Sequence, residues 1–482
     1  LGLVWVLQSA APLGVYRAQA KQFDAARALE DVQVLASPEF QGRESGTPGA
    51  ELAAEYVATR MKEIGLFPAG EGNTYIQSVP SPRYHMTEMP RLEILDVQGT
   101  VAEVLVYRQD FAEYVGNFNS FGEGTGPIVG IATGPDPGTP GGDAYGIGGL
   151  DLYDEVILVR EAVIERIGTS NVAGVLVVVD DPRTIQRKVL FMQEGYLTAQ
   201  VPVMLITSQV ADRLLATAGS SLAQFDQLAT GLQPGEVALT GTGATAHLKT
   251  ALAMSEGLDE KYYHVIGFIP GTGAHTGPRL GMGMDSQVIM VSAYYDGLGV
   301  GPDGTLYPGA NDNGSGVATM LELARVLKQA PYQPKRTVVF VAWTGGERTE
   351  GLSVSNVMNA KVGFTSLTVE AVIELSGVGA GDGSEIALEQ GSSFRLVQLF
   401  QKAAGRLGVS TTTRGRGPHH GMFTSRGFGG RSALSLYVSW DGSDRTAHTP
   451  EDTLEALDPK KLRQVGQTTL LVLTVLSREV EY

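Results

Sequence analysis

The sequence predicts an α/β protein, in which a layered helix–sheet–helix domain with a largely parallel mixed sheet carries a smaller, β-rich inserted domain. Two observations predict this architecture. In the C-terminal half, apolar runs with many β-branched residues alternate with segments whose apolar residues recur at helical spacing, as in a parallel sheet covered by helices. In the middle of the chain, a stretch rich in glycine and proline precedes a group of shorter apolar runs.

The composition excludes several classes of protein and site. The 482 residues suffice for two or three domains, and the net charge of −16 without a long basic run argues against a nucleic-acid partner. Because the chain has no cysteine, disulfides and cysteine-ligated metal sites are excluded. Any metal would therefore need carboxylates and the seven histidines as ligands.

The N-terminal segment, residues 1–20, is predicted to be a hydrophobic anchor or the remnant of a signal peptide. Residues 1–16 carry no charge, and Ala18-Gln19-Ala20 resembles a small-x-small cleavage site. The alternative is an ordinary buried helix. The first interpretation predicts an extracytoplasmic protein, which is secreted, periplasmic or at the cell surface and is tethered if the segment stays in place.

Two helices are predicted within residues 24–66, the second ending at Gly65, with a polar, turn-rich loop between them. The glycine- and proline-rich stretch 119–145 is predicted to open the inserted domain, whose strands follow at 155–160, 173–181 and 201–206. The main domain is therefore predicted to comprise residues 21–118 and 251–482, and the inserted domain residues 119–250.

Four buried strands are predicted in the C-terminal half, at residues 286–296, 337–343, 369–375 and 433–438, with a final helix at 459–478. Polar residues follow the ends of these strands. In open α/β sheets, ligands bind at the carboxyl ends of the strands. This edge of the sheet is therefore the predicted location of a functional site.

Four side chains are predicted to gather at this edge: Asp296, Asp312, Glu347 and His448. Carboxylates with a histidine suit either a metal site or acid–base chemistry. Each residue also has an ordinary alternative, because Asp312 could cap a helix, His448 could lie in a turn and Glu347 could be a loop carboxylate. Their common placement favours a functional site.

Three segments resemble a known family. They are VSAYYDGLGVGPDGTLYPGANDNGSG, KRTVVFVAWTGGER and AHTPEDTLEAL, in this order. The chain resembles the zinc-dependent exopeptidase family that includes bacterial leucyl aminopeptidases, glutamate carboxypeptidase and transferrin receptor. Residues 119–250 resemble the protease-associated domain that is often inserted in these enzymes. The resemblance implies a zinc-exopeptidase-like main domain and a protease-associated-like insert.

The resemblance also implies a mechanism, in which two zinc ions hold a bridging water and polarise the scissile carbonyl. The family uses five protein ligands: a histidine, a bridging aspartate, a glutamate, a second aspartate and a second histidine. By resemblance, Asp312 is the bridging ligand, His448 the final histidine and Glu347 the general base. Asp296 corresponds to the residue that orients the first histidine, an ancestral catalytic role.

Three of the five ligand positions are replaced, by Tyr294, Arg348 and Ser376. Tyrosine and serine are poor zinc ligands, and a guanidinium repels a divalent ion. We hypothesise that Arg348 replaces the metal and pairs with Asp312 or Glu347. Alternatively, Glu350 could swing into the vacant position, which would give a one-zinc site of Asp312, Glu350 and His448.

The sequence therefore predicts a catalytically inactive pseudo-peptidase with an aminopeptidase fold, which serves binding or assembly. Zinc is the cofactor the family implies, and we expect none to be bound. The expected partners are proteins or further copies of the chain in an extracellular or membrane-associated assembly, with a peptide as another possible ligand. The alternatives are an active zinc metallo-aminopeptidase with a one-metal or altered site, and a module that binds carbohydrate or peptide in the old cleft.

Overall fold

A computed structural model describes residues 14–80, 84–116, 119–138, 143–168, 171–191, 198–254, 261–272, 286–331, 333–347, 368–390, 394–414 and 434–479. The chain divides into two units. One is formed by the residues before Pro82 and after Glu256, and the other is Pro82–Glu256.

The described helices, in chain order, are α1 (residues 14–20), α2 (Ala25–Leu35), α3 (Pro48–Ile64), α4 (Arg183–Gln186), α5 (Ser208–Ala216), α6 (Leu222–Thr230), α7 (Gly316–Gln329), α8 (Phe394–Leu407) and α9 (Pro459–Arg478). The described strands are β1 (Phe67–Pro68), β2 (Ile76–Pro80), β3 (Tyr84–Met86), β4 (Arg91–Leu95), β5 (Val101–Val104), β6 (Phe111–Glu113), β7 (Asn119–Ser120), β8 (Gly122–Thr133), β9 (Leu152–Arg160), β10 (Val172–Val179), β11 (Thr198–Ala199), β12 (Val203–Thr207), β13 (Val237–Thr250), β14 (Leu252–Met254), β15 (Lys261–Ile269), β16 (Gln287–Tyr294), β17 (Thr337–Trp343), β18 (Thr368–Leu375), β19 (Ile386–Gln390), β20 (Thr411–Arg414) and β21 (Leu434–Trp440).

The first unit is built on a mixed nine-stranded sheet in the order β1-β15-β17-β16-β18-β21-β19-β20, with β2 also paired to β15. Its centre consists of the four predicted strands, and β17, β16, β18 and β21 pair in parallel. The outer strands β15 and β19 join this centre in antiparallel fashion. The predicted α/β fold with a largely parallel mixed sheet is therefore confirmed.

The core of the first unit lies between alternate residues of the sheet and the helices α2, α3, α7, α8 and α9. Ile289, Val291 and Ala293 of β16 face this core because side chains alternate along a strand. Helix α9 begins where Asp458 caps the amide of Lys460. Helix α3 ends, as predicted, at Gly65, which has a φ of 84° that glycine adopts without strain.

Residues 14–20 are helical and contribute to the same core. The side chains of Tyr16 and Ala20 are buried in it, and the Tyr16 hydroxyl donates to Glu479 Oε1 at 2.7 Å. This part of the predicted N-terminal segment packs as a folded element, whereas residues 1–13 lie outside the described residues. Among the described helices, none is long and apolar enough to cross a membrane. The anchor or signal role of residues 1–20 stays a prediction.

The second unit is built on an eight-stranded mixed sheet in the order β5-β4-β13-β8-β9-β10-β12-β6. It begins at Pro82 and not at residue 119 as predicted, because β4 pairs with β13 and β6 pairs with β12. These pairings bury Leu92 and Phe111 in the core of this unit. Residues 82–118 therefore belong with the insert, which ends at Glu256, close to the predicted residue 250.

Candidate active site

The carboxyl edge of the first unit's sheet brings together three of the predicted site residues. Glu347 follows β17, Asp312 precedes α7, and His448 lies in the turn after β21. One potential ligand atom from each of these three side chains lies within 4.8 Å of the other two. The fourth predicted residue, Asp296, lies just after β16.

His448 lies between the two carboxylates. Its Nε2 atom is 3.3 Å from Asp312 Oδ2 and 3.5 Å from Glu347 Oε2. The side chain of Glu347 is only 3% exposed, and its Oε1 atom has no hydrogen-bond partner among the residues that the structure describes. Burial raises the pKa of Glu347 well above its ordinary value, and the neighbouring Asp312 and Asp296 raise it further.

Tyr294, at the first replaced ligand position, is hydrogen-bonded to the predicted bridging ligand. Its hydroxyl donates to Asp312 Oδ1 and accepts a hydrogen bond of 3.0 Å from the hydroxyl of Ser376, at another replaced position. Burial, followed by the charge of Asp312, holds the pKa of Tyr294 well above its ordinary value. Tyr294 is therefore a neutral donor, and each oxygen of Asp312 faces a protein group, Tyr294 or His448.

Asp296 fixes the loop that carries Glu347. Its carboxylate accepts hydrogen bonds from the amides of Gly346 at 3.0 Å and Glu347 at 3.2 Å, and from the hydroxyl of Ser45 at 3.0 Å. Burial raises the pKa of Asp296, whereas these hydrogen bonds oppose the increase. Its predicted ancestral role stays a prediction, and its contacts here make it a positioning residue for Glu347.

Asp452 is a buried residue of the site that the sequence analysis missed. It accepts hydrogen bonds from the amides of Asn311 at 2.7 Å and Asp312 at 3.0 Å, and so fixes the backbone that presents the Asp312 carboxylate. Burial raises the pKa of Asp452 to about 7. Its position in the segment AHTPEDTLEAL, four residues after His448, could have identified it. An acidic residue so close to His448 in the sequence could serve the same site.

Arg43 is a second residue that the sequence analysis missed, because it lies in the loop predicted to be polar and turn-rich. Its guanidinium is fully buried and donates to the backbone carbonyls of Leu35, Tyr295, Pro308 and Gly309 at distances of 2.5 to 2.8 Å. It therefore ties together the segments after β16 and before α7, and its charge lies near four carboxylates of the site.

Two further sequence predictions cannot be placed. Arg348 and Glu350 lie outside the described residues. The replacement of a metal by Arg348 and the recruitment of Glu350 as a ligand therefore both stay predictions.

The gathered donors suit one divalent ion. Ligand atoms about 2.0–2.2 Å from a tetrahedral zinc ion lie about 3.3–3.6 Å apart, which matches the separations of His448 from Asp312 and Glu347. The unpartnered Glu347 Oε1 atom also fits such an ion, which would satisfy a buried carboxylate. A second ion would need ligands where the hydroxyls of Tyr294 and Ser376 are bonded to each other, and hydroxyls are poor zinc ligands.

A buried carboxyl next to the site provides a test of the electrostatics. Burial, and next the charge of Glu389, raises the pKa of Glu374 to about 8, against about 4.3 in an unfolded chain. Between these values the folded state holds a proton that the unfolded state releases, so stability falls as the pH rises through this window. We expect Glu374→Gln to gain roughly 4 kcal/mol relative to the native protein between pH 5 and pH 9.

Urea unfolding of both proteins at several pH values measures this difference. The matched control is Glu370→Gln, on the same strand but only partly buried. Stability curves for Glu374→Gln and the native protein that run parallel from pH 5 to pH 9 would contradict the assignment of a buried, protonated Glu374.

Comparison with known proteins shows which family the part of the chain that carries this site is similar to. Residues 279–473 match the model of peptidase family M28. The aminopeptidase YwaD of Bacillus subtilis is 27% identical over 192 residues, which cover 37% of this chain and 39% of YwaD. A probable zinc metalloprotease of Pyrenophora tritici-repentis is 37% identical over 110 residues, which cover 21% of this chain and 22% of that protein. The matches thus span well under half of these relatives.

Solved structures extend the similarity of fold to nearly the whole chain. The aminopeptidase from Aneurinibacillus sp. strain AM-1 superposes with a TM-score of 0.63 at 20% identity, covering 96% of this chain and 97% of its own. A peptidase M28 precursor from Shewanella amazonensis SB2B superposes with a TM-score of 0.64 at 17% identity, covering 97% of both chains. The chain has the fold of these aminopeptidases, and its residues 279–473, which carry the gathered carboxylates and histidine, match the model of peptidase family M28, in agreement with the sequence resemblance.

Proposed function

We propose that this chain is an aminopeptidase-fold protein that has lost two-zinc peptide hydrolysis and retains its cleft for binding or assembly. One observation carries the proposal. The hydroxyl of Tyr294 donates to the Oδ1 atom of Asp312, the carboxylate that would have to bridge two zinc ions. His448 lies at the other oxygen of Asp312, where the two side chains could share one ion, so no oxygen is left for a second metal.

The proposed setting is extracytoplasmic, with protein partners or further copies of the chain. It is supported by the uncharged, apolar composition of residues 1–16 and by the small-x-small pattern at Ala18-Gln19-Ala20. The net charge of −16 is unfavourable for a nucleic-acid partner.

Hydrolysis of leucine p-nitroanilide by zinc-loaded protein tests the loss of activity. We expect no turnover above that of the Glu347→Gln variant, because a water bridged by two metals cannot form. Turnover that a chelator stops and that Glu347→Gln abolishes would contradict the proposal.

The second candidate function is a one-metal aminopeptidase that removes residues from the N-terminus of peptides. It is favoured by the proximity of His448 to Asp312, two ligands of the predicted one-zinc site that also includes Glu350, and by the position of Glu347 beside them. Bound zinc, when present, would polarise a carbonyl and activate a water. In this alternative Glu347 must stay free to accept a proton from that water, so activity with a single bound zinc would favour it over the pseudo-peptidase.

A further inference from the structure

Glu347 occupies a position that suits a metal ligand as well as a base. Its loop is held by Asp296, which accepts the amide of Glu347 itself and that of Gly346, so the carboxylate is directed at the site before any ligand arrives. Its Oε2 atom is 3.5 Å from His448 Nε2, close to the separation of two ligands on one tetrahedral ion.

The surroundings of Glu347 favour an ion. A carboxylate with 3% of its side chain exposed and an unpartnered Oε1 atom loses the hydration that stabilises its charge. Among the residues that the structure describes, the cations near it are Arg43, which is fully engaged by backbone carbonyls, and His448 when protonated. These two face Asp296, Asp312 and Asp452 in addition to Glu347. A bound divalent ion would supply positive charge that these described groups do not balance.

The donor set also indicates the class of ion. A histidine nitrogen with two carboxylate oxygens is typical of zinc and similar transition metals, whereas calcium and magnesium prefer oxygen ligands alone. Three protein ligands also match the number in zinc sites that keep a fourth position for water.

We infer that Asp312, Glu347 and His448 form a site for one divalent transition-metal ion, in which Glu347 serves as a ligand and not as a base. The inference rests on the proposed loss of hydrolysis and supplies a second reason why hydrolysis would be lost. An ion held by Glu347 consumes the carboxylate that would otherwise accept a proton from the attacking water. The protein then binds zinc without hydrolysing peptides.

Zinc titration by calorimetry tests this site, with the bound metal counted by elemental analysis. We expect one zinc per native chain, and an affinity at least about 100-fold lower in Glu347→Gln, since loss of even an indirect partner of a metal ligand costs about 10- to 100-fold. The matched control is Glu451→Gln, an exposed carboxylate three residues from His448, which should bind zinc as the native protein does.

Two results would overturn the inference: a native protein that binds no zinc, or a Glu347→Gln variant that binds it with native affinity. The absorption spectrum of the Co²⁺-loaded native protein gives a second measurement that needs no variant, because a low-coordinate site absorbs more strongly than an octahedral one. An octahedral spectrum would also count against the inference. A different result would contradict the proposed loss of hydrolysis. That result is chelator-sensitive peptide hydrolysis by the native protein.

Discussion

Restoring the three replaced ligand positions, with Tyr294→His, Ser376→Asp and Arg348→Glu together, is expected to raise bound zinc to two ions per chain and to create aminopeptidase activity. The change removes the Tyr294 hydroxyl that donates to the Oδ1 atom of Asp312. The freed Oδ1 atom then allows the Asp312 carboxylate to bridge two metals. It also returns Glu347 to the role of base, because each ion would then have its own ligands. We expect hydrolysis of leucine p-nitroanilide at least about 100-fold above that of the native protein.

The controls separate restored chemistry from contamination. Adding Glu347→Gln to the triple variant should abolish the gained activity while both zinc ions remain bound. The single variant Ser376→Asp, which leaves Tyr294 on Asp312, should gain neither the second zinc nor activity. A native protein that already hydrolyses the substrate as fast as the triple variant would contradict the account.

Replacing the buried arginine, with Arg43→Met, is expected to lower the free energy of unfolding by roughly 4 kcal/mol or more. The change leaves the buried carbonyls of Leu35, Tyr295, Pro308 and Gly309 without their donors. Each unsatisfied buried polar group costs about 1–3 kcal/mol. It also removes the positive charge that lies near the carboxylates of the site.

Urea denaturation measures this loss of stability, with Arg27→Met as the control. Arg27 lies on helix α2, and its side chain is 57% exposed, so its replacement should change stability by less than about 0.5 kcal/mol. The loss of stability in Arg43→Lys should lie between those of Arg43→Met and Arg27→Met, because lysine keeps the charge but not the planar array of donors. A loss below about 1.5 kcal/mol for Arg43→Met would show that the carbonyls find other donors.

The central sheet and the gathering of its site residues could be predicted from the sequence. The four apolar runs correspond to β16, β17, β18 and β21, because a strand buried on both faces has a continuous apolar signature. Parallel strands place their carboxyl ends at one edge, so the convergence of Asp312, Glu347 and His448 followed from their order along the chain.

Long-range pairing limited the prediction of the domain boundary. The short strand β4 was not recognised as part of the insert, because it pairs with residues of β13 that lie at least 150 positions later (Leu95 with Thr245), and nothing local specifies the pairing. The burial of Arg43 could not be predicted for a similar reason, since the local composition indicates only a polar loop. Its burial depends on carbonyls supplied by three separate segments.

The hydrogen bond between Tyr294 and Asp312 could not be predicted either. The resemblance identified Tyr294 and Ser376 as poor metal ligands but did not say where their hydroxyls would go. In the folded protein, the Ser376 hydroxyl donates to Tyr294 and the Tyr294 hydroxyl donates to Asp312, a chain of contacts among residues 82 positions apart or closer. Through these hydrogen bonds, Tyr294, which replaces a metal ligand, engages Asp312, a ligand that remains.

The number of zinc ions per native chain, counted by elemental analysis after zinc loading and removal of free metal, tests the central claim most directly. The account predicts one ion and no more, because Tyr294 engages one oxygen of Asp312 and the other oxygen, beside His448, serves the single ion, so that a bridged pair cannot form. Two zinc ions per chain would mean that Tyr294 gives way to metal, and would contradict the account.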